Sequence, residues 1–248
     1  MKVLHIITSL NIGGAEKLMV DLLPRLKQRG VETELLLFDG IRTMFYEQLE
    51  RSEVKIHFLS QGGSVYNPQK IFHLYRFLRI NRYDIIHTHN TAPQLFSALV
   101  SVFRKLKLVT TEHSTDNRRR NMLWYKPIDV WMYSRYSRVI SISDAAESNI
   151  KEYLHITGNS EKFKTVYNGV DINRFENALP TFELPNSKKI ITMVAGFRYQ
   201  KDQDTLIKAF ALLPKDEYEL WLVGDGERRR DLEALVASES VCDGVKFW

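Results

Sequence analysis

Short apolar runs alternate with longer amphipathic segments along the whole chain. The runs have the length of β-strands, and in the segments between them an apolar residue recurs every three or four positions, which is the period of a helix with one buried face. The predicted strands cover residues 2–7, 31–38, 55–59, 84–89, 106–111, 138–143, 163–167, 190–195, 220–223 and 245–248. The predicted helices cover residues 18–26, 44–51, 68–81, 95–103, 118–136, 144–153, 206–213 and 228–237. Strands that alternate with helices predict an α/β fold built on parallel sheets.

The run at residues 190–195 is almost entirely apolar, which predicts a strand covered on both faces of a parallel sheet. A turn follows at residues 196–201, and Asp202 is placed to cap the next helix. The strand at residues 220–223 then runs into the turn Gly224-Asp225-Gly226. This β-α-β order brings both turns to the carboxyl end of the sheet, where open α/β sheets bind their ligands.

Two cations lie in the first of these turns. Arg198 and Lys201 precede the start of a helix, whose amide groups and dipole also attract negative charge. The turn is therefore a candidate site for a phosphate or a diphosphate.

A second strand-turn-helix unit opens the chain. Gly13 and Gly14 follow the strand at residues 2–7 and precede a helix. Paired glycines let a ligand approach the backbone closely, although a tight turn without a ligand is the alternative interpretation. The spacing lacks the three glycines of the dinucleotide fingerprint, so a nicotinamide cofactor is not indicated.

Histidines end two of the predicted strands. His87 and His89 are two residues apart, so their side chains point to the same side of a strand. This spacing suits metal ligands, but no third ligand is evident nearby in the sequence, and a polar cleft wall is the favoured interpretation, with no metal site. His113 follows the strand at residues 106–111. It is either a hydrogen-bonded structural residue or a cleft residue, and its place at the carboxyl end favours the cleft.

Composition narrows the class of protein. Of the 248 residues, 44% are hydrophobic and 26% are charged, as in a globular protein with a sizeable core. The single cysteine, Cys242, excludes an internal disulfide and a cysteine-cluster metal site, and it fits a reducing cytoplasm. The apolar run after Met1 is too short for a signal peptide, and no segment approaches the roughly 20 apolar residues of a membrane-spanning helix.

The net charge of +5 is unevenly distributed. Residues 104–138 contain nine Lys or Arg and three acidic residues, interleaved with five aromatic residues: Trp124, Tyr125, Trp131, Tyr133 and Tyr136. One interpretation is a solvated face beside ordinary core aromatics. The other is a surface for anionic lipid headgroups or an acidic acceptor, which would place the protein peripherally at the inner face of the membrane. No motif for binding nucleic acid accompanies the charge, so nucleic acid is not a predicted partner.

Residues 176–187 contain Pro180 and Pro185 and are predicted to link two domains. The first domain covers residues 1–175 and the second covers residues 188–248. Each contains a strand-turn-helix unit with a turn suited to phosphate, so two doubly wound, Rossmann-like domains facing across a cleft are the predicted architecture.

A series of short motifs resembles the GT-B glycosyltransferases of family four. The motifs occur in the family's order at residues 13–16, 111–113, 142–143, 166–171, 174–175, 201–202, 205–210 and 222–226. The resemblance implies a GT-B fold and an enzyme that transfers a glycosyl group from a nucleotide-diphosphate sugar, with retention of anomeric configuration and without a metal or other cofactor. It further implies a glycan or lipid-linked acceptor in the synthesis of cell-envelope polysaccharide or glycolipid.

The resemblance also implies roles for particular residues. His113 would contact the donor sugar near the reacting centre, and Arg198 and Lys201 would neutralise the departing diphosphate. Many family members carry the arginine five residues before this lysine, where this chain has Gly196. The donor or acceptor would be bound by five further residues, which are Gly13, Gly14, Ser143, Gly224 and Asp225. Asn168 and Asp171 would shape the hinge turn.

Two other features of the second domain bear on function. Asp202-Gln203-Asp204 matches the metal-binding Asp-x-Asp motif of the other glycosyltransferase fold, but its place at a helix start favours capping. The domain of residues 188–248 lacks several strands and helices that family members have, including their paired glutamates, so we expect it to be incomplete. Two alternative functions therefore stand beside transfer: a non-catalytic module that binds an acceptor or a partner, and a nucleotide-sugar epimerase, which often resembles the same fold.

Overall fold

Parallel strands joined by helices form both parts of the chain in the computed structural model, which describes residues 1–114, 120, 122–158, 160–179 and 188–248. The strands are β1 (Lys2–Ile7), β2 (Glu32–Leu37), β3 (Lys55–Phe58), β4 (Ile85–His89), β5 (Leu108–Glu112), β6 (Arg138–Ser141), β7 (Phe163–Thr165), β8 (Lys189–Val194), β9 (Tyr218–Val223) and β10 (Val245–Phe247). The α-helices are α1 (Gly14–Gln28), α2 (Met44–Glu50), α3 (Gln69–Ile80), α4 (Thr91–Phe103), α5 (Lys126–Ser134), α6 (Asp144–Tyr153), α7 (Ile172–Glu176), α8 (Gln203–Phe210) and α9 (Arg229–Ser238). The predicted α/β class is confirmed.

The chain divides into two units, Met1–Val170 and Asp171–Trp248. The first unit ends five residues before the predicted domain boundary at residue 175. The difference arises at α7, a short helix that the sequence pattern did not predict and that groups with the second unit. Most of the predicted linker, residues 180–187, lies outside the described residues.

The first unit contains a parallel sheet of seven strands in the order β3-β2-β1-β4-β5-β6-β7. The chain runs outward from β1 to β3 and then returns to β4 on the other side of β1. The strand order therefore reverses between β1 and β4, and open α/β sheets form their ligand crevice at the carboxyl ends of such a pair.

Two apolar clusters cover the faces of this sheet. On one face, α1 and α2 pack against β1 and β2, with Met19, Leu23 and Leu35 buried. On the other face, α3 to α6 pack around Leu4, Phe96 and other side chains of a larger cluster.

The second unit contains the parallel strands β10-β9-β8, with β8 at the edge of the described sheet. The prediction that β8 is covered on both faces is wrong. Ile191 and Met193 pack against the apolar cluster of α8 and α9, but Val194 on the opposite face is 77% exposed. The apolar composition of β8 reflects high strand propensity, whereas burial depends on what packs on each face.

Other differences concern the ends of elements. Helix α4 begins at Thr91, four residues before its predicted start, and β6 ends at Ser141 because Ser143 caps α6. The segment predicted to be mostly helical at residues 118–136 contains a 3-10 turn, Leu123–Tyr125, followed by α5. Residues 115–119 and 121 lie outside the described part of that segment.

Candidate functional site

The turn between β1 and α1 lies at one side of the crevice between β1 and β4. Gly13 is the N-cap of α1 and has an extended backbone with φ of −171°, which any residue adopts. A Cβ atom on Gly13 would lie 2.3 Å from a carboxylate oxygen of Glu16, which is the flexible end of a side chain, and one on Gly14 would meet open space. Backbone geometry therefore does not account for either glycine, and their predicted role beside a ligand stays a prediction.

Asn90 lies on the other side of this crevice, between β4 and α4. Its φ of 68° is left-handed, a conformation in which asparagine is enriched among residues other than glycine. The Asn90 side-chain amide donates to a carboxylate oxygen of Glu16 at 3.4 Å and so joins the starts of α1 and α4. Sequence analysis missed Asn90, because only the reversal of strand order places it beside the β1 turn.

His113 lines a small polar cavity at the end of β5. The cavity has a volume of about 140 Å³ and is lined by Asn90, Thr91, Gln94, Thr111, Glu112, His113 and Ser114. The structure thus confirms that His113 lies at the carboxyl edge and in a concave, hydrogen-bonding environment. Its contact with the donor sugar stays a prediction.

A buried network holds the base of this cavity. The Glu112 carboxylate accepts hydrogen bonds from Gln94 Nε2 at 2.7 Å and from the Tyr133 hydroxyl at 2.6 Å. Its second oxygen pairs with Arg120 at 2.8 Å. A buried carboxylate is stable only with such partners, so the three contacts hold the Glu112 side chain in place. They thereby fix the end of β5, from which His113 extends.

Four histidines meet beneath the same edge. His5 Nδ1 lies 3.2 Å from His89 Nε2, and His89 Nδ1 lies 2.9 Å from His113 Nε2. His87 packs against both His5 and His89, and its Nε2 hydrogen-bonds with Thr111 Oγ1 at 2.8 Å. The sequence predicted that His87 and His89 share a side, but His5 was missed, because it lies in a distant apolar strand.

The histidine cluster is held uncharged. Burial lowers the pKa of His5 and of His113 to about 4. Burial and the neighbouring histidines lower the pKa of His87 and of His89 well below 6.5. At neutral pH each imidazole therefore has one N–H group and one bare nitrogen. Side-chain nitrogens of His5, His87 and His89 lie within 4.8 Å of one another, so the third histidine that the sequence did not reveal is present.

The side chain of Ser143 caps the N-terminus of α6. The Ser143 hydroxyl accepts a hydrogen bond from the Ala146 amide at 3.2 Å and caps α6. Its O–H group can still donate, so the predicted contact with a ligand is compatible with capping but is not shown.

In the second unit, the turns after β8 and β9 pack backbone against backbone. The Phe197 amide donates to the Asp225 carbonyl at 3.0 Å. A Cβ on Gly224, whose φ is 146°, would lie 2.2 Å from the Ala195 carbonyl oxygen, and one on Gly226 would lie 2.6 Å from that of Phe197. These glycines are therefore required by the close approach of the two turns. A role for Gly224 toward a ligand stays a prediction.

The two predicted cations extend from these turns. Arg198 and Lys201 are exposed, and neither forms an ion pair within the described parts of the chain. Arg198 Nε lies 3.8 Å from the position that a Cβ on Gly196 would occupy, and the Asp225 carbonyl is equally close. The arginine side chain thus reaches back over Gly196, the position where many family members carry the arginine itself.

The acidic groups of this region serve structure. Asp202 caps α8 by accepting from the Thr205 amide at 3.5 Å, which confirms the predicted capping. Asp204 forms a two-pronged pair with Arg228 at 2.5 and 2.7 Å, and that guanidinium stacks on Tyr199. Asp225 is exposed, and its carboxylate accepts from the Gly226 amide at 2.8 Å. The Asp-x-Asp match is therefore explained by capping and pairing.

The basic and aromatic segment combines core and surface residues. Tyr133 and Tyr136 are buried in the larger cluster, so the surface interpretation is wrong for these two residues. Trp124 is 67% exposed, and Met122 and Ile128 are also exposed. Among the described residues, no helix has both the length and the apolar composition needed to cross a membrane.

Comparison with known proteins identifies two family models that together cover residues 12–248. The model described as "Glycosyltransferase Family 4" matches residues 12–174, about two thirds of the chain, and the model described as "Glycosyl transferases group 1" matches residues 175–248.

Related sequences include a capsular polysaccharide biosynthesis glycosyltransferase, CapH, of Staphylococcus aureus. It is 23% identical over 87% of this chain and 59% of its own length. A Campylobacter jejuni α-1,4-N-acetyl-D-galactosaminyltransferase, named for a diNAcBac-PP-undecaprenol acceptor, is 25% identical over 96% of this chain and 65% of its own length. The chain spans about half to two thirds (47% to 65%) of the length of the curated relatives that it matches.

Solved structures share the fold. Anabaena HepE in complex with UDP and glucose superposes with a TM-score of 0.79, at 20% identity, over 100% of this chain and 68% of HepE. A protein described as a UDP-N-acetylglucosamine 2-epimerase, from Listeria monocytogenes, superposes with a TM-score of 0.63 at 14% identity, over 100% of this chain and 68% of its own. At these identities, the superpositions establish the fold alone.

Proposed function

Because this chain belongs to glycosyltransferase family 4, we propose that it transfers a glycosyl group from a nucleotide-diphosphate sugar to a glycan or lipid-linked acceptor, with retention of anomeric configuration. The family match over residues 12–174 carries the proposal, since it includes the β1–α1 turn, Asn90 and the His113 cavity. The names of the Staphylococcus and Campylobacter relatives support a role in the synthesis of cell-envelope polysaccharide or glycolipid.

In the first unit, we assign His113 to the donor sugar. His113 Nε2 is paired with His89 Nδ1, so Nδ1 is the ring nitrogen left to meet a ligand in the polar cavity. A single hydrogen bond between this nitrogen and a sugar hydroxyl suits a neutral imidazole. Its low pKa means that this neutral state persists across physiological pH, so the interaction would not depend on a protonation event.

In the second unit, we assign Arg198 and Lys201 to the donor diphosphate. When the glycosidic bond to the donor breaks, negative charge grows on the departing diphosphate, and positioned cations stabilise that transition state. The exposed positions of Arg198 and Lys201, with no ion pair in the described residues, leave them available for this task.

The proposal includes no resident metal ion. These two side chains would supply the positive charge that a divalent cation supplies to diphosphates in other enzymes. We therefore expect EDTA to leave UDP binding unchanged in a calorimetric titration. Loss of binding on chelation, restored by Mg²⁺ or Mn²⁺, would contradict this part of the proposal.

The first test is calorimetric titration of the 248-residue chain with UDP, GDP and uridine. Because UDP is present in the HepE structure, we expect saturable binding of UDP in the micromolar range, and weak binding of uridine, which lacks the diphosphate. Transfer would then be measured by mass spectrometry with UDP-sugars and an undecaprenyl-diphosphate-linked acceptor, and the anomeric configuration of the product by NMR. Absence of both nucleotide binding and transfer would reject the proposal for this chain.

Two other functions stay as alternatives. A nucleotide-sugar epimerase is one, because the fold is shared with a protein described as such an enzyme, and the same assay run without an acceptor would detect interconversion of free nucleotide sugars. The exposed strand β8 supports a partner-binding module, because an unpaired strand edge can add a strand from another chain. Light scattering that shows a stable complex with a second polypeptide, without turnover, would favour that module.

We also propose peripheral contact with an anionic membrane, on the cytoplasmic side. The support is the exposed trio Met122, Trp124 and Ile128 beside the start of α5, within a basic stretch of sequence. Vesicles with anionic headgroups should therefore sediment the chain, whereas zwitterionic vesicles should not, and Trp124→Ser should weaken this binding. If equal amounts of the protein sediment with anionic and with zwitterionic vesicles, membrane contact driven by charge is contradicted.

A further inference from the structure

Three of the clustered histidines form a continuous chain that leads from the interior to the candidate site. His5 contacts His89, and His89 contacts His113, so both nitrogens of His89 are engaged. His5 is 2% exposed and His89 is 1% exposed, whereas His113 is partly exposed beside the polar cavity. This row of three histidines therefore has one end in the core, at His5, and the other end at the proposed substrate, at His113.

The distances distinguish hydrogen bonds from metal coordination. For His5 and His89, the ring centres are 5.5 Å apart and the nitrogens 3.2 Å apart. For His89 and His113, the corresponding distances are 5.2 and 2.9 Å. In both pairs the distance between the ring centres exceeds the distance between the nitrogens by as much as the two nitrogens are set out from their own ring centres. The two nitrogens therefore lie on the straight line that joins the ring centres. A linear arrangement suits N–H···N hydrogen bonds, whereas two ligands of one zinc ion would point at a third position between them.

The number of ring protons limits the tautomers that the three histidines can adopt together. Three neutral imidazoles have three N–H groups, and two of these groups fill the two contacts. The third must lie at one end, on His5 Nε2 or on His113 Nδ1. His5 Nε2 is buried and has no hydrogen-bond partner among the described residues.

The two ends are not equivalent. A proton on His5 Nε2 would create a buried N–H group without an acceptor, which is rarer in proteins than an unsatisfied acceptor. A proton on His113 Nδ1 can be satisfied by water or a ligand, because His113 is partly exposed. The lower free energy therefore belongs to the arrangement in which His5 Nδ1–H donates to His89 Nε2 and His89 Nδ1–H donates to His113 Nε2.

We infer that His5 and His89 are positioning residues that hold His113 in its Nδ1–H tautomer and fix the orientation of its ring. If the proposed function holds, His113 then presents a hydrogen-bond donor to the sugar, so the oxygen that it contacts must act as an acceptor. His87 packs against His5 and His89, but its Nε2 is hydrogen-bonded to Thr111, so it is not part of the hydrogen-bonded row.

The test is long-range ¹H–¹⁵N NMR of the chain with ¹⁵N-labelled histidine at pH 7.5, which distinguishes protonated ring nitrogens from bare ones. His5, His89 and His113 should each be protonated on Nδ1, the tautomer that free histidine favours less. Single substitutions assign the signals. Protonation of His113 on Nε2 in the unsubstituted chain would overturn the inference.

A matched pair of variants tests the origin of this tautomer. His5→Asn keeps an N–H donor near the position of Nδ1, so His113 should remain Nδ1–H. His5→Leu removes the donor, but a reversed His89 would bury an Nε2–H group against an apolar side chain, so His113 should again be Nδ1–H. The His89 ring would no longer be fixed at Nε2, so its signals should be broader than in His5→Asn. Protonation of His113 on Nε2 in either variant, or His89 signals in folded His5→Leu as sharp as in His5→Asn, would contradict the inference. If His5→Leu does not fold, the spectrum of the unsubstituted protein decides.

Zinc provides a further check. Equimolar ZnCl₂ should leave the signals of His5 and His89 unchanged, whereas a stoichiometric shift of both would replace the hydrogen-bonded chain by a metal site. None of these measurements requires a nucleotide sugar. A chain with the expected tautomers that fails to bind UDP would therefore reject the proposed function and retain the inference.

Discussion

At the scale of single residues, the unusual features of this protein are polar groups whose burial depends on specific partners. The histidine cluster is one example, and Lys70 is another. Lys70 is buried, and its ammonium group donates to the Phe38 carbonyl at 2.6 Å and to the Ser60 hydroxyl at 2.5 Å. Burial lowers its pKa, but these acceptors tie α3 to the segments that follow β2 and β3. Such residues are sensitive to changes that leave their neighbours unpaired.

Lys70→Met should destabilise the protein by about 2 kcal/mol, because two hydrogen bonds from a buried charged group are lost and the Phe38 carbonyl keeps only the longer bond of 3.2 Å from the Ser60 hydroxyl. Urea unfolding followed by tryptophan fluorescence measures this change. Lys27→Met is the matched control, since Lys27 forms an exposed pair with Glu53 and should cost less than about 0.5 kcal/mol. Equal effects of the two substitutions would contradict the structural role of Lys70.

Lys201→Ala should weaken UDP binding about tenfold, which corresponds to about 1.4 kcal/mol, because one cation for the diphosphate is lost. The same calorimetric titration measures the effect. Lys208→Ala removes another exposed lysine, from the last turn of α8, and should leave the affinity unchanged. Unaltered UDP affinity in folded Lys201→Ala would remove Lys201 from the site.

At the scale of elements, the second unit depends on how closely two turns approach. The turn after β8 and the turn after β9 share backbone hydrogen bonds, and Gly224 and Gly226 leave no room for side chains between them. Arg198 and Lys201 extend from the first of these turns. The packing of the turns therefore determines where the proposed diphosphate-binding groups lie.

Gly224→Ala should destabilise the second unit by at least about 2 kcal/mol, because the new Cβ would overlap the Ala195 carbonyl and φ of 146° is strained for alanine. Hydrogen exchange, read separately for β8 and β9, would locate the effect. Gly169→Ala is the control, since a Cβ there meets nothing within 4 Å. Unchanged protection of β8 in Gly224→Ala would show that the turns tolerate a wider separation.

At the scale of the whole molecule, the neutral histidines link stability to pH. The unfolded chain binds a proton at each histidine below about pH 6.5, whereas folded His5 and His113 do so only near pH 4. Unfolding therefore takes up protons between these values, and the free energy of unfolding falls as the pH falls from 6.5 towards 4. Each such histidine raises the unfolding equilibrium constant by up to about tenfold per pH unit.

Urea unfolding at pH 7, 6 and 5 tests this dependence, and His5→Asn should show a smaller slope because one titrating group is gone. The carboxylates affect stability in a lower pH range than the histidines. Burial raises the pKa of Glu34, but hydrogen bonds from Lys2, Tyr83 and His57 lower it to about 2, so its contribution is lost only below about pH 4.5. Stability that is constant from pH 7 to pH 5 would contradict the neutral histidine cluster.

The sequence by itself determined the alternation of strands and helices, the capping by Asp202 and the family, because these depend on local periodicity, local hydrogen bonds and motifs in linear order. It also indicated that His113, Arg198 and Lys201 lie at the carboxyl ends of strands. Tertiary structure alone decided which distant residues meet. His5 joins His89, and Asn90 joins Glu16, only because the strand order reverses between β1 and β4. It also decided that β8 is exposed on one face, because burial depends on what packs against a strand and not on the strand's own composition.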